Sequence, residues 1–327
     1  MTFQANTKAG ICFIFNHPFP HQITVLRRLY KDRFTKILFL VPFHLDSSDD
    51  DVVTVYSGAF NFDSIVVQAK REIKAKFADC SHVLFVHNDL LLSGRFDEGS
   101  VETLLGLKNE QAYISEIRKI SGPVYQWVWL TRLCYKFKFP MDSLFGTGSE
   151  KARQYLPSIE SINQKCLVGG FDPSPSYLTR DLERIDGMYA GRFIDEQLFA
   201  GGNHLDEHGR FMFSHPLFSG YSDIFCVPYK ALDEWLHVLG TLSAMDIFPE
   251  ISIPTSLVWV FGRVSTAEKL GLRTSILWQD RYLADKISWV IERLEAGEAY
   301  IHPVKYEQYS EEEYGQLMLN LDRSSAH

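Results

Sequence analysis

Four short polar segments contain the residue types in this sequence that are able to do chemistry. The first is HND at residues 87–89, directly after the apolar residues 84–86. The others are SGYSD at 219–223, PE at 249–250 and IHPVK at 301–305. Carboxylates and imidazoles bind divalent cations, a lysine ammonium pairs with phosphate, and a carboxylate also serves as a general base. The four segments therefore offer a cation site, an anion contact and a base.

Each segment also has a purely structural interpretation. Asn88 or Asp89 suits the N-cap of a helix that begins at LLLSG. Gly220 suits a simple turn that leads into the strand DIFCV. Glu250 suits the first turn of a helix, where a carboxylate favours the helix dipole. His302 suits a turn fixed by the following proline, with its ring facing solvent. The residues alone leave both interpretations open in every case.

The elements that must position these residues alternate in type over the first 95 residues. Apolar runs predict strands at 10–15, 36–43, 52–56 and 82–89, and helical spacing predicts helices at 21–34 and 64–78. Such alternation predicts a parallel sheet covered by helices. Ligands bind beyond the carboxyl ends of strands in these sheets. Asn16, His17 and Asp89 all follow predicted strands, so we expect them at this edge.

The rest of the chain is less regular. The pattern predicts helices or partial helices at 99–107, 113–122 and 128–137, and a loop followed by a helix within 145–159. Residues 166–215 are rich in glycine, proline, histidine and aspartate, which predicts loops. Beyond residue 216 the pattern predicts a strand at 223–227, helices at 229–248 and 280–297, and a late strand at 299–306, and it leaves 256–261 as helix or strand.

Composition excludes several classes of protein. The 327 residues carry a formal net charge of −8, which is unlike a nucleic-acid-binding chain, and the basic residues 70–76 fit a solvated helix face. Five widely spaced cysteines without CxxC predict buried, reduced thiols rather than a zinc cluster or a disulfide framework. No P-loop or GxSxG is present, and no GxGxxG follows the first strand. No run reaches the roughly 18 apolar residues that span a bilayer, and no apolar leader is seen, so the cytoplasm is the expected location.

In their order along the chain, the four segments resemble the motifs of GT-A-type nucleotide-sugar glycosyltransferases. The surrounding sequence is similar to bacterial enzymes that build lipopolysaccharide or capsule glycans, and the resemblance covers about residues 10–306. It implies an α/β fold with a mostly parallel central sheet flanked by helices, as one domain over residues 1–327. Within that domain it implies a nucleotide-sugar half at about 1–95, a helical and loop insertion at about 97–215, and an acceptor half at about 216–327.

The resemblance implies a metal site. Asp89 matches the last acid of the family's DxD motif, and His87 stands where the first acid is expected. His302 matches the C-terminal metal-binding histidine, and Lys305 is placed to pair with a phosphate. The cofactor would be Mn²⁺ or Mg²⁺, and His87 would ligate Mn²⁺ or contact the ribose, since Mg²⁺ favours oxygen over imidazole.

The resemblance also implies the remaining contacts. Glu250 matches the catalytic acid of the xED motif, without the aspartate that normally follows it. It would act as the general base of an inverting transferase, whereas a retaining enzyme would not need this base in the same way. Gly220, Tyr221 and Asp223 match a glycine loop that borders the acceptor. Asn16, His17 and Asn88 would contact the donor, and the acidic residues 46–51 would meet uracil or ribose.

The resulting hypothesis is a metal-assisted, hexosyltransferase-like enzyme. It would move a sugar from a nucleoside diphosphate donor, UDP-linked by expectation, to a bacterial surface glycan or lipid-linked acceptor. Its expected location is the cytoplasm, with peripheral association at the inner membrane, and no nucleic-acid partner is expected. Two alternatives stay open at this stage: a non-catalytic binding protein that keeps the GT-A-like fold, and an unrelated nucleotide-using α/β enzyme.

Overall fold

The computed structural model describes residues 8–45, 49–58, 61–108, 110–123, 148–179, 205–276 and 286–324. Within the chain, two compact units are distinguished. Unit 1 comprises residues 1–116, 223–232 and 265–327, and unit 2 comprises residues 117–222 and 233–264. The predicted helix at 128–137 lies outside the described residues. The prediction of one GT-A-like domain over the whole chain stays a prediction.

A seven-stranded sheet contains the four strands predicted for the first 95 residues. β1 (Ala9–Ile14) pairs in parallel with β2 (Ile37–Pro42) and β4 (His82–His87). β2 pairs in parallel with β3 (Val52–Val55), and β10 (Phe218–Pro228) runs antiparallel to β4. The predicted α/β class with a mostly parallel central sheet is therefore confirmed. In spatial order the strands are β11 (Val264–Ser265), β6 (Ala112–Lys119), β10 (Phe218–Pro228), β4 (His82–His87), β1 (Ala9–Ile14), β2 (Ile37–Pro42) and β3 (Val52–Val55).

Two three-stranded sheets and the α-helices complete the described structure. One small sheet has the order β12 (Thr274–Ile276), β13 (Tyr300–His302) and β5 (Leu91–Leu92), and the other has the order β7 (Ser121–Pro123), β8 (Tyr177–Thr179) and β9 (Phe211–Met212). The α-helices are α1 (Pro20–Tyr30), α2 (Phe62–Gln68), α3 (Lys70–Lys76), α4 (Val101–Leu104), α5 (Gly148–Arg153), α6 (Ile159–Gly169), α7 (Leu232–Ala244), α8 (Pro249–Phe261), α9 (Ala267–Leu270), α10 (Ile287–Glu295) and α11 (Glu311–Ser324).

The core of unit 1 forms between α1 and the parallel strands. Leu26 and Tyr30 of α1 recur at helical spacing and are fully buried. The ring of Tyr30 meets Phe13 of β1 edge-on, at 4.9 Å between centroids, and Phe13 stacks on Phe39 of β2 at 5.5 Å. The buried Tyr30 hydroxyl accepts a hydrogen bond from the Leu92 N–H at 3.0 Å. This bond ties β5, which lies beside the polar segment 87–89, to the core.

Unit 2 is organised around α8, in which every residue except Glu250 is buried. Trp235 Nε1 donates to Ser256 Oγ at 2.9 Å, and Trp259 Nε1 donates to the Pro216 carbonyl oxygen at 2.9 Å. Both indole N–H groups are thus satisfied inside the core. The stretch 256–261, which the sequence left as helix or strand, is helical because α8 is packed on all sides.

The helix predicted at 113–122 is wrong, because these residues form β6 and β7. Ile114, Ile117 and Ile120 recur at every third residue, which suggested a helix. Tertiary contacts outweigh this spacing: the Tyr113 hydroxyl lies 2.9 Å from that of Tyr300, which also donates to Ser115 Oγ. The predicted insertion at 97–215 therefore contains strands as well as helices among its described residues.

The glycine loop predicted at residues 219–223 is also wrong, because Gly220, Tyr221 and Asp223 all lie inside β10. Glycine and serine are common turn residues, which is why the sequence predicts a loop there. Tyr221 and Asp223 are buried within the strand, and burial favours the extended conformation over an exposed turn. The predicted acceptor contacts of the three residues stay predictions.

The sequence predicts buried, reduced cysteines. Cys12, Cys80, Cys166 and Cys226 are buried free thiols, as predicted, and Cys134 lies outside the described residues. Burial raises the pKa of Cys12 and of Cys226 well above the ordinary value.

Among the described residues, none of the helices has both the length and the apolar character needed to cross a bilayer.

Candidate functional site

The segment 87–89 forms a tight turn at the carboxyl end of β4. The Leu90 N–H donates to the His87 carbonyl oxygen at 3.0 Å, and the Asn88 N–H donates to the Ile14 carbonyl oxygen at 3.0 Å. The chain then enters β5 rather than a helix. The N-cap interpretation of Asn88 and Asp89 is therefore wrong, and the three polar residues lie at the edge of the sheet where ligands bind.

The segment 302–305 is held against this turn by backbone hydrogen bonds. β13 pairs antiparallel with β5, with Ile301 opposite Leu91. Just beyond β13, the Val304 N–H donates to the Asp89 carbonyl oxygen at 2.6 Å. His302 is 3% exposed, so the interpretation of a solvent-facing histidine is wrong. Two segments more than 200 residues apart are thus docked together.

His87, Asp89 and His302 form a compact group, called here the histidine–aspartate cluster. Nδ1 of His87 is hydrogen-bonded to Oδ1 of Asp89, and Nε2 of His302 lies 2.7 Å from the same oxygen. One ligand atom from each of the three side chains lies within 4.8 Å of the others. The two imidazole rings are nearly perpendicular, at 5.6 Å between centroids. This spacing suits three ligands of one cation.

Two further charged side chains adjoin the cluster. Lys305 Nζ donates to Asp89 Oδ2 at 3.0 Å, and its side chain is 32% exposed. Asp223 Oδ1 lies 4.0 Å from His302 Nε2. One side chain at the rim of the cluster is thus a partly exposed cation that can reach an anion, and the other is a buried carboxylate.

Burial and charge act against each other on the ionisable groups of the cluster. Burial favours a higher pKa for Asp89, but the positive charges and hydrogen bonds of His302 and His87 outweigh it and hold the pKa well below its ordinary value. Burial favours a lower pKa for His87, but the charge of Asp89 and their hydrogen bond raise the pKa above its ordinary value. Asp89 is therefore a carboxylate at neutral pH.

The donor set fits a divalent cation. His87, Asp89 and His302 are all buried residues, and the carboxylate supplies the negative charge that a buried cation requires. Imidazole suits zinc or iron, whereas carboxylate oxygen suits manganese or magnesium, so the three side chains offer both kinds of ligand. Among the described residues, His87, Asp89 and His302 thus form a group that could hold a metal ion, with Lys305 beside it, and the identity of the ion stays a prediction.

The other predicted donor residues lie near this edge with different partners. Asn88 is 2% exposed, and its Nδ2 donates to Gln22 Oε1 of α1. Asn16 is half-buried and His17 is exposed on the loop after β1, where their nucleotide contacts stay a prediction. Of the acidic residues 46–51, 46–48 lie outside the described residues, and Asp49 and Asp51 both accept hydrogen bonds from Arg27.

Three predicted residues lie in unit 2, whereas the histidine–aspartate cluster lies in unit 1. Glu250 is in the first turn of α8, directly after Pro249, as its structural interpretation holds. Gly220 and Tyr221 lie in β10. The catalytic and acceptor roles assigned to these residues stay predictions.

Sequence reasoning missed several residues at this edge of the sheet. Gln22 is a polar residue on the buried face of α1, and no motif marks it. Phe43 and Tyr56 follow β2 and β3, are 55% and 72% exposed, and place their rings 6.0 Å apart. An aromatic residue at the end of two predicted strands was the available signal for this pair.

Comparison with known proteins identifies no family for this chain. No protein-family model matches the chain, and no curated protein matches it. Among solved structures the chain is similar to the apo structure of WbbM, a bifunctional glycosyltransferase, with 10% identity and a TM-score of 0.32. The match covers 100% of this chain and 53% of the other, so this chain spans about half of that protein. A likeness of this size carries no argument about activity, which has to rest on the site.

Proposed function

We propose that this chain is a metal-dependent glycosyltransferase that uses a nucleoside diphosphate sugar, with UDP as the expected nucleotide. The observation that carries the proposal is the histidine–aspartate cluster at the carboxyl end of β4, with Lys305 Nζ 3.0 Å from Asp89. A diphosphate leaving group needs a cation and a further positive charge. This edge of the parallel sheet supplies ligands for the first and Lys305 for the second.

Each residue has a defined task in this proposal. His87, Asp89 and His302 would hold the cation, which when bound would neutralise the negative charge of the departing diphosphate. Lys305 exchanges its contact with Asp89 for a phosphate oxygen. Asp223, beside His302, accepts hydrogen bonds from hydroxyls of the acceptor. The buried walls of the cluster exclude water, which strengthens these charge interactions.

The acceptor side of the proposal rests on the family motifs that Glu250, Gly220 and Tyr221 match in sequence. Glu250 takes the proton of the acceptor hydroxyl as that oxygen attacks the anomeric carbon, which gives inversion of configuration. Gly220 and Tyr221 border the acceptor, a bacterial glycan or a lipid-linked sugar.

A thermal-shift screen of nucleoside diphosphate sugars, with and without Mn²⁺, tests the proposal. A ligand that binds only the native state raises the unfolding free energy by about 2.7 kcal/mol at one hundred times its Kd. We expect a clear rise in Tm only when a UDP-sugar and Mn²⁺ are both present. Equal shifts in EDTA and in Mn²⁺, or no shift with any nucleotide sugar, would contradict the proposal.

A non-catalytic binding protein is the second candidate, and it is favoured by two departures from the family pattern. His87 stands at the first acid of DxD, and no aspartate follows Glu250. Release of UDP in the presence of Mn²⁺ and a panel of glycan acceptors separates the two candidates. Tight binding without any release of UDP would favour the second, and binding of a dinucleotide instead of UDP would favour an unrelated nucleotide-using enzyme.

A further inference from the structure

The side chain of Gln22 connects the two segments that carry the histidine–aspartate cluster. It is 4% exposed on α1, and its Oε1 accepts a hydrogen bond from Asn88 Nδ2. Its Nε2 donates to Glu307 Oε2 at 2.9 Å. A carboxylate only accepts hydrogen bonds, so Glu307 fixes the orientation of the Gln22 amide and leaves the amide oxygen for Asn88.

The two hydrogen bonds of the Gln22 side chain, called here the bridge, reach two segments that lie far apart in the sequence. Asn88 lies between His87 and Asp89, whereas Glu307 belongs to the 3₁₀ turn Tyr306–Gln308, which directly follows Lys305. One buried amide is therefore bonded to the chain on both sides of the cluster. The bond from the Val304 N–H to the Asp89 carbonyl oxygen joins the same two segments through the backbone.

We propose that Gln22 is a positioning residue that fixes the separation of segments 87–89 and 302–305 and thereby sets the affinity of the cluster for a divalent cation. The inference rests on the metal site of the proposed function. Residues that orient metal ligands without touching the metal commonly change its affinity by 10- to 100-fold when they are replaced. Gln22 is hydrogen-bonded to Asn88 in one ligand segment and to Glu307, just beyond the other.

Swapping the Gln22 amide and the Glu307 carboxylate between the two positions tests the bridge. In Gln22→Glu, one carboxylate oxygen still accepts from Asn88, but the other faces the Glu307 carboxylate and the bridge breaks. In the double variant Gln22→Glu/Glu307→Gln, the new amide donates to the new carboxylate, so the bridge forms again with the wild-type net charge. Glu307→Gln alone keeps the bridge, because an amide oxygen accepts from Gln22 Nε2.

The Kd for Mn²⁺ alone, measured by titration, is the first readout. We expect Gln22→Glu to bind Mn²⁺ about tenfold more weakly, the double variant to return to the wild-type Kd, and Glu307→Gln to differ little. Simple electrostatics predicts the reverse, since an added negative charge attracts a cation. Equal or tighter binding by Gln22→Glu, or a double variant that stays weak, would overturn the inference.

Hydrogen exchange in the metal-free protein separates failure of the bridge from failure of the metal site. The Val304 amide reports the docking of the two segments, and the Phe39 amide, bonded to the Asp51 carbonyl oxygen at 2.8 Å, serves as the internal control. We expect Gln22→Glu to speed exchange at Val304 about tenfold with little change at Phe39, and the double variant to restore it. Exchange at Val304 that is unchanged in Gln22→Glu would overturn the bridge, even if the wild type binds no Mn²⁺.

Gln22→Met covers the case in which Gln22→Glu does not fold. It removes both hydrogen bonds of the bridge without adding a charge, so the same tenfold weakening and the same exchange at Val304 are expected. A folded Gln22→Met with the wild-type Kd and wild-type exchange at Val304 would overturn the inference.

Discussion

Replacement of Asp89 by asparagine is expected to weaken Mn²⁺ binding by at least about 100-fold and to abolish the Mn²⁺-dependent shift with UDP-sugars. Asp89 is the single carboxylate of the histidine–aspartate cluster, and both imidazoles converge on its Oδ1. An asparagine keeps the shape but lacks the negative charge that a buried cation requires. Titration of the folded variant with Mn²⁺ measures the effect.

Asp79→Asn is the matched control for this change. Asp79 is an exposed aspartate of unit 1 that pairs with Lys36 at 3.4 Å. The same chemical change is made there away from the cluster, so Mn²⁺ affinity should stay at the wild-type value. A folded Asp89→Asn variant that retains wild-type Mn²⁺ affinity would contradict the assignment of Asp89 as a ligand.

The same substitution has a pH signature in the absence of metal. The pKa of Asp89 is lowered in the folded state, so its stabilising contribution is present above about pH 4 and is lost as the pH falls. The pKa of His87 is raised, so its contribution is present below about pH 6.5 and is lost as the pH rises through the raised value. The loss of unfolding free energy in Asp89→Asn should therefore be largest between about pH 4 and pH 6.5.

Gly169→Ala is expected to lower the unfolding free energy by about 3 kcal/mol, through overpacking in unit 2. A Cβ on Gly169, the last residue of α6, would lie 2.0 Å from the Gly262 carbonyl oxygen and 2.7 Å from its carbon. A Cβ on Gly262, which follows α8, would lie 2.6 Å from the Lys165 carbonyl oxygen, and Gly262 has φ +66°. Backbone atoms cannot rotate aside as a side chain can, so α6 and α8 would have to separate.

Gly315→Ala is the matched control for the glycine prediction. Gly315 lies inside α11, and a Cβ there meets nothing within 4 Å. Alanine should then raise the unfolding free energy by about 0.5–1 kcal/mol, because it favours the helical conformation. Urea denaturation followed by circular dichroism measures both variants. A Gly169→Ala protein as stable as wild type would contradict the close approach of the two helices.

The parts of the fold that could be predicted are those determined by local pattern. β1 to β4 are continuous apolar runs separated by polar loops, so the parallel sheet follows from the sequence. The same pattern predicts the edge at which ligands bind, because Asn16, His17 and Asp89 all follow predicted strands. The contact between Asp89 and His302 could not be derived from spacing, and it was expected only from the resemblance.

Other features depend on contacts that sequence spacing does not show. β6 carries isoleucines at helical spacing, but the hydroxyl of Tyr113 meets Tyr300 and the segment is a strand. Gly220 resembles a turn residue, but it lies inside β10. Gln22 looks like a polar residue of an amphipathic helix, and only the three-dimensional structure shows that it reaches both segments of the cluster.

Pulsed electron paramagnetic resonance of Mn²⁺ bound to the protein tests the central claim most directly. The account predicts nitrogen couplings from two histidines in the wild type, one fewer in His87→Ala and in His302→Ala, and binding that is lost in Asp89→Asn. A Mn²⁺ spectrum with no histidine nitrogen coupling, or couplings that persist unchanged in both histidine variants, would contradict the assignment of the histidine–aspartate cluster as the metal site.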